Sequence, residues 1–149
     1  DIILNTDFAA TLADYAGVNA PACSEGRSFR DNLKGETPRD WRQSMYYRYW
    51  THHKIRPAHM GIRGHRYKLM FLYGDPLNAT GSDKAPVTPS WEFYDLLADP
   101  HENHNLYGSP TYAGEIEKMK RELLKLRREI GDTDAANPRM QEIMDAYYW

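Results

Sequence analysis

The chain has 149 residues, and its 19 Lys and Arg residues against 21 Asp and Glu residues give a net charge of -2 at pH 7. This length suits one domain, or a small domain with part of another. The balance of charge provides no excess positive potential for a phosphate backbone, so we expect no nucleic-acid partner. No run approaches the roughly 20 apolar residues needed to cross a bilayer, so we expect no membrane span.

Three further features of the composition limit the interpretation. Asp1 opens directly on a hydrophobic element, with neither an initiating Met nor a charged leader, from which we expect a piece of a longer protein. Cys23 is the single cysteine, which excludes an internal disulfide framework. Aromatic residues make up 13% of the chain, with 11 Tyr and 4 Trp. Such side chains suit half-buried sheets and sugar-binding surfaces, so a carbohydrate partner is permitted.

The first forty residues predict a short helix followed by a long loop. Thr6 or Asp7 can cap the helix at its start, and Gly17 ends it. The residues predicted to share its apolar face are Phe8, Leu12, Tyr15 and Ala16. Pro and Gly residues mark the segment up to Arg39 as a loop, with one turn of helix at residues 28–33.

Four strands are predicted to follow. The aromatic run MYYRYW within residues 43–50 has high β propensity. Residues 61–73, together with the preceding Met60, give two more strands, MGIR and RYKLMFLY, which meet in a hairpin at Gly64. Pro and Gly residues make residues 74–90 a loop, and residues 91–96 supply a fourth strand. We therefore predict an antiparallel sheet of about four strands.

The C-terminal part predicts one long helix. Ser109 is its N-cap, Pro110 takes the first helical position and Gly131 ends it. Apolar residues recur at intervals of three and four at Tyr112, Ile116, Met119, Leu123, Leu126 and Ile130. The charged run EKMKRELLKLRRE is interpreted as a solvated outer face with i,i+4 pairs. The fold class is therefore α+β: a four-stranded antiparallel sheet with the long helix packed on one face, preceded by the short helix.

A second helical segment is predicted for the tail, residues 137–149. It begins at a proline and ends in YYW, with apolar residues spaced for one side of a helical turn. Its packing partner could be this sheet, a missing part of a longer protein, or another copy of the chain. The periodicity does not choose among these three.

Two motifs carry particular structural expectations. GIRGHRYKL alternates along a hairpin, with Ile62, Tyr67 and Leu69 predicted to point inward and Arg63, Arg66 and Lys68 outward or toward a neighbouring domain. In YDLLADPHENHNL, Asp99 starts a turn, and Asn103 and Asn105 suit positions with left-handed backbone. Leu106 is then predicted to re-enter the core.

The motifs occur in an order that resembles a known family. A helix ending in AG, a loop with GRSF, an aromatic strand, the GIR and RYKL hairpin and EFYDLLADPHENHNL are similar to the C-terminal part of the formylglycine-dependent sulfatases of the alkaline-phosphatase-like superfamily. The resemblance covers nearly the whole chain. It implies that residues 1–40 are the end of a sulfatase catalytic domain with a linker, and that residues 41–149 are the C-terminal subdomain.

The resemblance also implies chemistry for which this chain has no recognisable residues. Such sulfatases use a formylglycine made from the Cys or Ser of a C/S-x-P-x-R motif, beside a divalent cation, usually calcium, held by Asp and Asn. We expect both in a missing catalytic domain, and neither a cofactor, a metal ligand nor a catalytic residue in this chain. Cys23 lies four residues before Arg27, as in that motif, but Glu25 stands where the proline belongs. Cys23 is therefore interpreted as a structural or incidental thiol.

Imidazole and guanidinium groups are concentrated in the segment THHKIRPAHMGIR. One loop with adjacent histidines and no nearby Cys or carboxylate lacks the ligand spacing of a zinc site. One interpretation is a rim that faces the catalytic pocket and holds a sulfated or hydroxylated sugar; the other is a solvated or domain-interface loop. The candidate substrate-binding residues are His52, His53, Arg56, His59 and Arg63.

The resulting hypothesis concerns a parent protein. We expect sulfuric ester hydrolysis on a sulfated carbohydrate, with this chain providing the substrate-binding rim and remaining inactive alone. The expected partners are the missing catalytic domain, the sulfated sugar and, through an exposed domain interface, another copy of the chain. The alternatives are a stand-alone carbohydrate-binding or interaction module, and the C-terminal subdomain of a related phosphonate or phosphodiester hydrolase. The resemblance implies a periplasmic or secreted location.

Overall fold

A computed structural model describes residues 1–149, apart from the side chain of Ala136. The chain divides into two compact units, Asp1–Gln43 and Ser44–Trp149. The assignment of residues 1–40 to the end of a catalytic domain, and of residues 41–149 to a C-terminal subdomain, stays a prediction.

The first unit contains helix α1, Asp7–Tyr15, and a short 3-10 helix, Asn32–Lys34. Thr6 is the N-cap of α1, and Gly17 follows its end with a φ of 69°. This left-handed conformation suits glycine, so the predicted end of the helix is confirmed. The 3-10 helix shares only residues 32 and 33 with the single turn predicted at residues 28–33.

Asp7 is a buried side chain that joins three parts of this unit. Its carboxylate accepts hydrogen bonds from the backbone N–H of Leu4 at 2.7 Å and of Arg27 at 2.9 Å. The Arg42 guanidinium donates to both carboxylate oxygens, with Nη2 2.9 Å from Oδ1. Burial opposes ionisation, but Arg42 and the two N–H groups outweigh it and hold the pKa of Asp7 below its usual value. The loop that follows α1 is therefore tied to the start of the helix.

The apolar face predicted for α1 is not covered in this structure. Phe8, Leu12 and Tyr15 are between 54 and 67% exposed, and Val18 is similarly open. The helix instead buries Asp7, Ala10 and Thr11. The hydrogen bonds of Asp7 and Thr11 determine which face of the helix is buried. The hydrophobic periodicity of the sequence does not predict these bonds.

The second unit is built on the predicted antiparallel sheet. Its strands, in spatial order, are β1 (Ser44–Tyr49), β2 (His59–Gly64), β3 (Tyr67–Leu72) and β4 (Ser90–Asp95). The register places Tyr46 opposite Ile62, Ile62 opposite Leu69 and Leu69 opposite Phe93. The fold class, the number of strands and the central hairpin are confirmed.

Two helices share a core with one face of this sheet. The inward side chains of the sheet are Met60, Ile62, Leu69, Phe71, Trp91 and Phe93. Helix α2, Ala113–Glu129, follows a 3-10 turn at Pro110–Tyr112, and helix α3 spans Pro138–Tyr147. The residues that the two helices add to the same core are Ile116, Met119, Leu123, Met140, Ile143 and Met144. The tail therefore packs within its own unit, which selects the first of the three predicted partners.

Helix α2 departs from its predicted pattern in two ways. Ile130 lies beyond the end of the helix and is more than half exposed. Lys120 and Arg127, predicted to be solvated, are both buried. Lys120 Nζ donates to the backbone O of Tyr148, and Arg127 donates to Asp134 at 2.6 Å. Lys120 thus finds its polar partner in the tail, and Arg127 finds its own between α2 and α3.

The turn after β4 also differs from the prediction. The left-handed residue is Glu102, with a φ of 56°, and not Asn103 or Asn105. The Asn105 amide instead binds the outer edge of β4: its Oδ1 accepts from Phe93 N at 3.0 Å, and its Nδ2 donates to Trp91 O at 3.0 Å. The structural role of Asn105 is thus to form these hydrogen bonds, and not to adopt a left-handed backbone conformation.

Candidate functional site

The segment between β1 and β2 contains a tight turn at its tip. His53 N donates to Arg56 O at 3.1 Å, and Arg56 N donates to His53 O at 3.0 Å. These two bonds close a two-residue turn around Lys54 and Ile55. Ile55 is 96% exposed. The turn therefore exposes the cationic side chains of Lys54 and Arg56 and the apolar side chain of Ile55.

An open cavity of about 630 Å³ lies beside this turn, lined by His53, Lys54, Ile55, Arg56 and Asp83. Asp83 comes from the loop between β3 and β4, and its Oδ2 accepts from Lys54 N at 2.9 Å. That hydrogen bond is the main cause that holds the pKa of Asp83 below its usual value. The cavity thus combines cationic side chains with one ionised carboxylate, which the sequence pattern alone did not associate with the histidine segment.

His59 is held in place where β2 begins. Its Nδ1 lies 2.8 Å from the backbone O of Pro57. A carbonyl oxygen accepts, so Nδ1 carries a proton in this contact, which does not engage Nε2. The ring stacks on Tyr49 with centroids 5.4 Å apart and meets Tyr47 edge-on at 5.9 Å. His59 is thus a positioned polar group within an aromatic surface.

Tyr49 connects two of the predicted residues. The guanidinium carbon of Arg56 lies 4.8 Å from the centre of the Tyr49 ring, on which His59 also stacks. An arginine over an aromatic face is attracted by the ring quadrupole. The prediction omitted Tyr47 and Tyr49, although period-two alternation in MYYRYW places both on the face of β1 that carries His59 on β2.

Gly61 allows Tyr47 to lie across β2. A Cβ atom at this position would meet Tyr47 Oη at 2.6 Å and Leu69 O at 2.8 Å. Such distances are too short for any side chain at residue 61 without displacement of the Tyr47 ring or of the backbone of β3. The glycine of the MGIR motif is therefore required by the aromatic packing around His59.

His52 lies apart from the other candidates. Its side chain is 0% exposed, with Nδ1 3.3 Å from Ala58 N and Nε2 3.1 Å from Ala85 O. In this conformation it cannot contact a ligand directly. The direct-contact role predicted for His52 is therefore corrected to an internal one.

Arg63 is exposed at the opposite end of β2 from His59. The four-residue separation corresponds to about 13 Å along a strand. Arg63 faces Lys68 of β3 in the sheet register. The structure therefore groups His53, Arg56 and His59 near one end of the sheet and leaves Arg63 as a separate cation, and all four stay predictions as substrate ligands.

The described residues do not fit the calcium and formylglycine centre that the resemblance implies. Within the described part of the chain, no three His, Cys, Asp or Glu side chains converge as a metal site would require. Asp7, Asp132 and Asp134 all form ion pairs with arginines, and Cys23 is an exposed thiol in CSEGR. We therefore assign no catalytic step to these residues. No helix among the described residues is long and apolar enough to cross a membrane.

Comparisons with known proteins agree with the resemblance. The family model for N-sulphoglucosamine sulphohydrolase, C-terminal, matches residues 1–129. The N-acetylglucosamine-6-O-sulfatase of Bacteroides thetaiotaomicron is 34% identical over 138 residues, which cover 89% of this chain and 22% of that protein. The chain spans between 22 and 31% of the length of the curated relatives it matches.

Solved structures show the same fold. BT4656, determined in complex with its substrate D-glucosamine-2-N,6-O-disulfate, superposes with a TM-score of 0.68 and 32% identity over 88% of this chain and 25% of its own. A phosphonate monoester hydrolase from Silicibacter pomeroyi has a TM-score of 0.60 and 23% identity, with coverage of 83% and 24%. This second likeness shows a shared fold alone.

These findings confirm the resemblance to the C-terminal part of the alkaline-phosphatase-like sulfatases. The family model covers most of the chain, including α1, the whole sheet and α2. The chain belongs to the N-sulphoglucosamine sulphohydrolase C-terminal family.

Proposed function

We propose that this chain is the C-terminal subdomain of a sulfatase that removes sulfate from a sulfated amino sugar, and that it forms part of the substrate-binding rim. The observation that carries the proposal is the match to the C-terminal family model over residues 1–129. The likeness to BT4656, which was solved with a disulfated glucosamine, supports the substrate class.

The chemistry of the rim is suited to such a ligand. Arg56 offers a planar guanidinium that can pair with sulfate oxygens. The Tyr49 ring holds Arg56 and His59 beside each other, and His59 offers a fixed ring nitrogen for a hydroxyl group. These three groups are in mutual contact through the Tyr49 ring. The rim accordingly selects the sugar and does not cleave the S–O bond.

The catalytic centre is proposed to lie in the remainder of the parent protein. Calcium and formylglycine belong there, because the residues of this chain do not fit that centre. The uncovered apolar stripe of α1, with Phe8, Leu12 and Tyr15, supports a packing partner for this helix. That partner is the catalytic domain in this proposal, with self-association of the same stripe as the competing outcome. The 149 residues alone should release no sulfate.

The rival activity is hydrolysis of a phosphonate or phosphodiester. The Silicibacter pomeroyi phosphonate monoester hydrolase has the same fold, but the sulfatase from Bacteroides thetaiotaomicron is more similar in sequence, at 34% identity. A periplasmic or secreted location is part of the sulfatase proposal, and the bacterial origin of the relatives is compatible with it.

The test compares two substrates on the full-length parent protein. We expect the parent to release sulfate from D-glucosamine-2-N,6-O-disulfate and from a small aryl sulfate, as followed by ion chromatography. His59→Ala should raise KM or lower kcat/KM for the disulfated sugar by about tenfold, while the aryl sulfate is spared. His101→Ala is the matched control, because His101 is exposed in the turn after β4, outside the rim.

Two results would contradict the proposal. A parent that hydrolyses a phosphonate monoester and no sulfate ester would favour the rival activity. Equal losses on both sulfate esters in His59→Ala would remove His59 from substrate selection.

A further inference from the structure

His52 is a buried imidazole that uses both ring nitrogens. Nδ1 accepts from Ala58 N at 3.3 Å, and Nε2 lies 3.1 Å from Ala85 O. An N–H group can only donate and a carbonyl can only accept, so the ring is neutral with its proton on Nε2. One side chain thereby joins the first residues of the segment after β1, its last residues before β2, and the loop between β3 and β4.

The backbone of the same residue adds two bonds to that distant loop. His52 N donates to Ser82 Oγ at 2.9 Å, and Asp83 N donates to His52 O at 2.8 Å. Four hydrogen bonds therefore converge on one residue, and three of them reach residues 82–85. The buried donors and acceptors among these groups have no water to replace a lost partner, which makes each bond costly to remove.

The geometry of the turn around Lys54 and Ile55 depends on these four hydrogen bonds of His52. Residues 53–57 form a closed excursion whose two ends, His52 and Ala58, are held together by the imidazole. Lys54 N is held by Asp83, which follows Ser82 in the same distant loop. Hydrogen bonds thus hold both ends and the tip of this segment. They fix the backbone position from which the Arg56 side chain reaches the Tyr49 ring.

We infer that His52 is a positioning residue for substrate selection, and that it recruits residues 82–85 as a supporting element of the rim. The inference rests on the proposed function, in which Arg56 and His59 bind a sulfated sugar. His52 contacts no sugar itself. It fixes where the cationic turn stands relative to the aromatic surface of Tyr49, so its loss should weaken recognition of the sugar and leave the chemistry of small esters unchanged.

Two conservative variants separate the two ring bonds. The amide of His52→Gln places a nitrogen near the position of Nε2 and can still donate to Ala85 O, whereas that of His52→Asn lies near Nδ1 and can still accept from Ala58 N. Ser82→Ala removes the hydrogen bond that Ser82 Oγ accepts from His52 N and changes no residue of the turn. Ser90→Ala, exposed at the start of β4, is its matched control.

The experiment uses the full-length parent and two readouts. In His52→Ala, KM for D-glucosamine-2-N,6-O-disulfate should rise by about tenfold, since misplacement of a binding group by an ångström is costly, while kcat/KM for an aryl sulfate stays within about twofold. Hydrogen exchange at the amides of residues 53–56 and of Ala58 should accelerate. His52→Gln should recover part of both effects, and Ser82→Ala should shift both in the same direction by a smaller factor.

The outcomes divide between the two proposals. Unchanged hydrogen exchange at residues 53–56 and Ala58 in His52→Ala, or equal losses on both esters, would overturn the positioning role. If the wild-type parent released no sulfate, the proposed function would fail, and the exchange data would still decide whether His52 orders the turn.

Discussion

Replacement of Asp132 by Ala should destabilise the unit Ser44–Trp149, which contains the candidate rim. Asp132 lies just beyond α2, and its Oδ1 accepts from Arg48 Nη1 at 2.6 Å, while Oδ2 accepts from the Tyr46 hydroxyl. Burial and the neighbouring carboxylate raise the pKa of Tyr46, so its hydroxyl remains a protonated donor at neutral pH. Both donors are on β1, the strand that leads into the candidate rim.

The magnitude follows from the groups that would be left unpaired. The Arg48 side chain is 6% exposed, and removal of one partner of a buried ion pair costs about 3–5 kcal/mol. Two hydrogen bonds to a charged group, each worth about 1.5–3 kcal/mol, give a similar sum. Because Asp132 retains some contact with solvent, we expect a loss of about 3 kcal/mol in the free energy of unfolding.

Urea denaturation followed by circular dichroism at 222 nm is the assay, since α2 and α3 of this unit provide most of the helical signal. With a slope of about 2 kcal/mol/M, the midpoint should fall by about 1.5 M. Asp132→Asn, which keeps an acceptor and loses the charge, should cost less. In the double variant with Arg48→Met the cost should be about 1.5–3 kcal/mol below the sum of the single changes.

A loss below about 1 kcal/mol in Asp132→Ala would refute this reasoning, because the buried Arg48 guanidinium would then have lost its carboxylate partner with little destabilisation. Additive effects in the double-variant cycle would refute it as well. They would mean that Arg48 and Asp132 contribute independently.

Two pH-dependent predictions follow from groups whose pKa values are lowered. The folded pKa of Asp7 is below its usual 3.8, so the ionised carboxylate stabilises the fold above pH 3.8, and this stabilisation is lost as pH falls through the folded pKa. Protection of the α1 amides from hydrogen exchange should fall over the same range. Asp7→Asn should give weaker protection that does not change with pH. Desolvation lowers the pKa of Lys120 from 10.5, so the unfolded chain binds more protons between the lowered value and 10.5, and stability should rise with pH there. Lys120→Met should abolish that slope in urea titrations, and an unchanged slope would show that another group is responsible.

The regular part of the fold was predictable because its signals are local. The hairpin of β2 and β3 follows from alternation within ten residues and a glycine at the turn. Helix α2 follows from apolar spacing over five turns, bounded by Pro110 and Gly131. In both, the residues that decide the structure are close to the residues that adopt it.

The burial of polar side chains was not predictable, because their partners are distant in sequence. Lys120 bonds to Tyr148, 28 residues away, and His52 bonds to Ala85, 33 residues away. A single sequence shows that these residues are charged or polar, but not that a complementary group will meet them. The same limit applies to His52, whose burial is set by residues 82–85 of a distant loop. Tyr49 is different, because the alternation in MYYRYW is a local signal that places it on the face of His59.

The hydrogen bonds of Asn105 have a consequence for how the sheet meets other molecules. With Leu106 N bonded to Phe93 O at 2.8 Å, the outward-facing backbone groups of β4 around Phe93 are occupied by the chain's own amides. A strand from a second molecule would have to displace these bonds before it could add to this margin. Addition of a foreign strand at β4 is therefore opposed around Phe93, where the chain already caps its own sheet.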